Sequence, residues 1–134
     1  MIHLGQWLRE NATRVRDAGA WDCSTFPAAW VMANGLPDPM AQWRGRYDTE
    51  EAALALIDGQ GGLPALFSRA MSGIDAPLNR GEPVAGDIGL VAIYGLEAGA
   101  IFTGKRWAFV TDRGMAFVTI APEHIVAAWS LPHG

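Results

Sequence analysis

Trp21-Asp22-Cys23-Ser24-Thr25-Phe26-Pro27-Ala28-Ala29-Trp30 is the stretch in which a turn gives way to an apolar helix. Asp22 is a suitable N-cap, Pro27 is tolerated in a first turn, and Asn34-Gly35 supplies a stop. A helix is therefore predicted from there to about Ala33. Its stripe of Phe26, Trp30 and Ala33, with Ala29 offset, places it centrally in the core. Cys23 is the chain's single cysteine. At a helix start, unpaired amides and the positive end of the helix dipole favour a thiolate, so the position suits a nucleophile. A thiol nucleophile also needs a base, and only His3, His124 and His133 are histidines.

Before this stretch, Leu4, Trp7, Leu8, Ala12 and Val15 recur at helical spacing, which predicts a helix over His3 to Asp17 ending near Gly19. After it, Leu36 to Tyr47 reads as an ordered, turn-rich connector. Thr49 followed by Glu50 and Glu51 marks the start of a third helix, broken by Gly61-Gly62, and Leu63 to Met71 reads as a fourth. The helical half thus spans 1–72.

The Gly/Pro-containing segment Gly73 to Gly86 then introduces strands, and the sheet half spans 84–132. Strands are expected over Asp87–Tyr94, Ala98–Thr103, Arg106–Thr111, Gly114–Ile120 and Ile125–Leu131. Gly104-Lys105 and Asp112-Arg113-Gly114 serve as tight turns between them. Helices followed by an antiparallel meander predict a single α+β domain over 1–134, with the N-terminal helices packed on a C-terminal antiparallel sheet.

With 134 residues and half of them hydrophobic, the chain has enough apolar material for one core. A net charge of −4 without a Lys/Arg cluster argues against nucleic acid as a partner. No run reaches the roughly 18 apolar residues of a membrane span, and Met1 to Arg16 lacks the apolar segment of a secretory signal. A lone cysteine excludes an internal disulfide, and no Cys/His grouping has zinc-ligand spacing. No metal or cofactor is expected. The acidic cluster Asp48 to Glu51 is read as a helix start, not an ion site. Arg44 and Arg46, beside Tyr47, either grip a partner or pair with Asp48 and Glu50. Trp43, Trp107 and Trp129 are core residues or interface anchors.

Asp22-Cys23-Ser24-Thr25-Phe26 resembles the nucleophile motif of the NlpC/P60 superfamily of papain-related thiol hydrolases, and Gly86-Asp87-Ile88-Gly89-Leu90-Val91 resembles the Gly-Asp start of its first sheet strand. Nearly the whole chain is similar to a small NlpC/P60-like phage and prophage family of unassigned function, encoded with tail genes. Its pattern runs through Trp21-Asp22-Cys23, Arg44-Gly45-Arg46-Tyr47 with Thr49-Glu50-Glu51-Ala52, Gly61-Gly62-Leu63, Gly86-Asp87 and Ala128-Trp129. The resemblance implies an NlpC/P60-like fold and a structural motif of Trp21, Asp22, Gly86 and Asp87, while Arg44, Arg46 and Tyr47 stand as partner-binding candidates on their own residue types.

One departure decides the expected activity. Active members open the second sheet strand with a His that activates the thiol, whereas the corresponding run here is Ala98-Gly99-Ala100-Ile101-Phe102-Thr103-Gly104. Ala98 or Gly99 holds the base position, and neither accepts a proton. A third polar residue would fall in Trp107 to Val110, which is wholly apolar. Cys23 is therefore read as a vestigial nucleophile or small buried hydrophobe, Asp22 as a cap, and Asp87 as a turn residue bonding amides of the helix region.

The expected role is a tail-tip structural or adaptor protein, in contact with hub, distal tail or tip components. Its expected location is the virion tail, after assembly in the bacterial host cytoplasm. The alternative is an active cysteine peptidase or amidase that cuts peptidoglycan peptides during infection, with helix-terminal amides stabilising the oxyanion.

Overall fold

The computed structural model describes residues 2–132. Helices α1 (Leu4–Asn11), α2 (Thr25–Ala33), α3 (Glu50–Gly59) and α4 (Leu63–Ser72) precede strands β1 (Ile88–Ile93), β2 (Leu96–Phe102), β3 (Trp107–Thr111), β4 (Gly114–Val118) and β5 (Ile125–Trp129). The architecture is α+β, with the helices and an antiparallel sheet of order β4-β3-β2-β1-β5.

That order corrects the expected simple meander. The first four strands follow one another, but β5 returns to pair with β1 on its free side. The sequence Ile88-Gly89-Leu90-Val91-Ala92-Ile93 has no polar side chain, and such a strand is stable only when paired on both edges and covered on both faces. Leu78, Asn79 and Ser130 extend the contact: the Asn79 amide donates to the Ala128 carbonyl at 2.8 Å and the Ser130 amide to Pro77 at 3.0 Å.

Helix α1 stops at Asn11, six residues short of Asp17. The Asn11 side-chain amide donates to the Trp7 carbonyl at 2.8 Å, a local bond that competes with helix propagation. Beyond it, the β3–β4 hairpin takes over the backbone: Met115 N–H donates to Ala12 and Arg16 N–H donates to Thr111. These bonds to the hairpin satisfy the groups without a helix.

The core between helices and sheet is built on Trp7, Trp21, Phe26 and Trp30, whose ring centroids lie 5.2–6.1 Å apart in contacting pairs. Trp43, Trp107 and Trp129 are all buried as well. Trp43 comes from the connector, where turns over residues 39–45 also carry Met40 inward. Trp107 lies on the sheet's other face in a smaller cluster with Val91, Ala100 and Ala128. A Cβ at Gly89 would overlap its indole, so the glycine makes room for the ring to lie across β1.

Candidate functional site

Cys23 sits in the turn that leads into α2, two residues before the first helical residue Thr25. Asp22, buried beside it, organises that turn. Its Oδ1 accepts from the Ser24 amide at 2.9 Å and from the Thr25 amide at 2.8 Å, with the Thr25 hydroxyl at 3.0 Å. Oδ2 accepts from the Gly19 amide at 2.9 Å and from the Tyr47 hydroxyl at 2.6 Å. Asp22 thus does the work of a cap from two positions ahead of Ser24, the residue that directly precedes the helix. Burial pushes its pKa up, but the Tyr47 hydroxyl and the three amides outweigh that and hold it below the ordinary carboxylate range.

This arrangement occupies part of what a thiolate at Cys23 could draw on. The Ser24 and Thr25 amides, two of the helix-terminal donors available to a thiolate or an oxyanion, are already bound to Asp22. The carboxylate also places a negative charge next to the sulfur. The residue retains partial exposure, yet its thiol lies deep enough that burial, then the charge of Asp22, raise its pKa above the ordinary value. The nearby Ser24 hydroxyl, 3.9 Å away, and the Gly99 amide oppose this only in part.

Opposite Cys23 is β2, and strand alternation distinguishes the two residues left open for the base. Ala100 belongs to the outer-face cluster while Ile101 faces the helices, so Gly99 points toward the helices and Ala98 away from them. A Cβ at Gly99 would overlap the Cys23 carbonyl oxygen and lie 2.5 Å from Phe67 Cζ. The helix turn rests directly on the strand backbone. On β3 the helix-facing residue nearest this point is Val110, which is apolar. His3 caps α1, accepting from the Gln6 amide at 3.1 Å, and His124 is exposed in a short 3-10 helix. Neither lines the cleft at Cys23. His133 lies outside the described residues.

Residues 2–131 match a family described as a domain of unknown function, DUF6950. The chain belongs to the DUF6950 family. No curated protein and no solved structure matches it.

Within this DUF6950 chain the remaining residues singled out by sequence divide into separate places. Tyr47 is interior and bonded to Asp22. Arg44 pairs with Asp38 through Nε at 2.6 Å and Nη2 at 3.2 Å, a bidentate contact with neither Asp48 nor Glu50. Burial raises the Asp38 pKa, but Arg44 and the Met40 amide bring it below the usual range. Arg46 is exposed. Trp21 is fully buried under the guanidinium of Arg14, whose Cζ stands 4.0 Å from the ring centroid.

Gly86 and Asp87 lead directly into β1. The Trp30 indole N–H donates to the Gly86 carbonyl at 3.0 Å, and this ties α2 to the sheet. Gly86 has φ +94°, a left-handed conformation in which a side chain is strained. The buried Asp87 carboxylate accepts from the Val84 amide and the Asn79 side-chain amide, both at 2.9 Å. It secures the connector before the sheet and not amides of the helix region.

The DUF6950 cleft that opens at Cys23 has a volume of about 650 Å³. Sequence reading did not reach its walls: Leu54, Ile57 and Asp58 come from α3, and Leu96 and Glu97 from the β1–β2 hairpin. That hairpin turns on Tyr94-Gly95, both at positive φ, which lengthens β2 by two residues at its start relative to the expected Ala98. Among the described residues, no group of three or more His, Cys, Asp or Glu could hold a metal ion. No helix among them is long and apolar enough to cross a membrane.

Proposed function

We propose that this DUF6950 protein is a structural or adaptor subunit of a phage tail tip, built on an NlpC/P60-like fold whose hydrolase machinery has degenerated. Its partners are hub, distal tail or tip components, and its place is the virion tail after assembly in the host cytoplasm. The tail assignment rests on the sequence resemblance through Trp21-Asp22-Cys23, Arg44-Gly45-Arg46-Tyr47, Gly86-Asp87 and Ala128-Trp129.

The loss of activity rests on one contact. Gly99, the helix-facing residue opposite Cys23, touches the Cys23 carbonyl so closely that no side chain fits there. General-base catalysis needs a proton acceptor within hydrogen-bond reach of the thiol, and a glycine backbone supplies none. The raised pKa of Cys23 supports the same conclusion. Reconstitution with purified tail hub, distal tail and tip proteins tests the assembly role. A stable stoichiometric complex is expected, and a chain that remains alone with all of them overturns it.

The enzyme alternative is favoured by the opening of the cleft onto Cys23. Incubation with muropeptides decides it: wild type and Cys23→Ser at the same background rate remove it, whereas turnover by wild type alone establishes it.

A further inference from the structure

The wall of the cleft formed by α3 is incompletely packed. None of its ten residues is buried, although Ala53, Leu54, Leu56 and Ile57 all line the cleft. Leu54 is 58% exposed, and Leu96, at the hairpin end of the cleft, is 74% exposed. Leu56 and Ile57 pack against the core but stay half-buried, and a helix gains most of its stability by burying an apolar face, so α3 presents a face that the described residues cover only in part.

Charge on the same rim selects the kind of chain that would cover it. Glu50 and Asp58 stand on the α3 side and Glu97 on the hairpin side, all exposed. Among the described residues the only cation lining the cleft is Arg16, and Asp112 engages it at 2.9 Å. The hairpin adds an aromatic group: Tyr94 is 99% exposed and held at φ +52°, where a glycine or asparagine is usual. A strained, fully solvated tyrosine beside a half-covered apolar cleft is the pattern of an interface anchor.

We infer that the cleft between α3 and the β1–β2 hairpin is a docking groove for an extended segment of a partner protein, whose apolar side chains enter the groove between flanking lysines or arginines. Leu54 on the α3 wall would receive the apolar side chains, Leu96 and Tyr94 would bound the groove at its hairpin rim, and Glu50, Asp58 and Glu97 would face the cations. The inference deepens the adaptor reading by giving the chemistry of the partner segment, and it rests on that reading for the partner being a tail protein.

Fluorescence anisotropy with the full chain tests it, using a labelled extended peptide of Leu, Phe and Lys. Two control peptides replace every Lys by Glu, or every apolar residue by Gly. The first peptide should bind about ten-fold or more tightly than either control, and more weakly as salt rises. Asp58→Lys with Glu97→Lys should invert the preference between Lys and Glu peptides. Leu54→Asp with Leu96→Asp should abolish binding with little change in thermal midpoint, because both residues are exposed.

Absence of binding, equal affinity for the Glu peptide, or indifference to these variants overturns the groove. Self-association of the chain that Leu54→Asp with Leu96→Asp abolishes also overturns it, by making a second copy the occupant. Peptide binding without any tail complex would leave the groove standing and remove the tail assignment. A tail complex that forms equally well with the charge-reversed variant would do the opposite.

Discussion

The hydroxyl of Tyr47 donates to Oδ2 of Asp22 across 2.6 Å, joining the end of a connector to the turn that carries Cys23. The two residues are 25 positions apart in the chain, yet each satisfies the other inside the protein. Burial and the neighbouring carboxylate both keep the phenol protonated, with its pKa far above the ordinary tyrosine value. The phenol is therefore a fixed donor to a fixed acceptor.

Tyr47→Phe removes this donor while preserving the ring. A hydrogen bond to a charged group contributes about 1.5–3 kcal/mol, so the variant should lose about that much stability. Urea unfolding should show a lower midpoint at an unchanged slope. An unaltered midpoint would mean that water replaces the hydroxyl without cost.

Acid should undo the Asp22 turn. The folded-state pKa of Asp22 lies below its ordinary 3.8. Its contribution is therefore fully present above pH 3.8 and is lost as the pH falls through the lower folded value. Asp38, lowered by Arg44, acts in the same direction. Stability measured across the acid range should fall with decreasing pH, and Asp22→Asn should flatten that slope while lowering stability at neutral pH.

The thiol should be sluggish. Because the Cys23 pKa is raised above 9.0, alkylation by iodoacetamide at neutral pH should run slower than for a free thiol and accelerate only in alkali. For the same reason the group favours the folded state below its unfolded pKa and ceases to do so as pH rises through the folded value. Rapid labelling at neutral pH would show a thiolate and restore the nucleophile.

Gly99→Ala should be severely destabilising. Its methyl group meets a backbone carbonyl at Cys23 and the ring of Phe67, and the carbonyl cannot rotate away without moving the turn into α2. Overpacking of this kind costs about 1–3 kcal/mol or more. Ala98→Ser, on the opposite side of β2, should be tolerated. Thermal unfolding of the pair separates a contact specific to Gly99 from a general intolerance of the strand.

The elements were legible wherever local chemistry was unambiguous. Thr49 was readable as a cap, and its hydroxyl accepts from the Ala52 amide at 3.1 Å. Gly61 and Gly62, both at positive φ, mark the break between α3 and α4. The Tyr94-Gly95 turn was missed because tyrosine is an uncommon residue at positive φ, and the pairing of β5 with β1 was missed because strand order is not a local property.

At the candidate site, sequence by itself determined the identity of the groups: one thiol, a neighbouring carboxylate, and no histidine in the corresponding stretch of β2. Their condition was settled only by the tertiary structure. Helix periodicity and capping depend on neighbours a few residues away, and composition carries them. Whether the Ser24 and Thr25 amides are free, whether Tyr47 reaches Asp22, and whether a side chain fits between β2 and Cys23 depend on segments far apart in the chain. Close packing brings those segments within a few ångströms, and there the carboxylate takes the Ser24 and Thr25 amides, two donors that a thiolate could otherwise use.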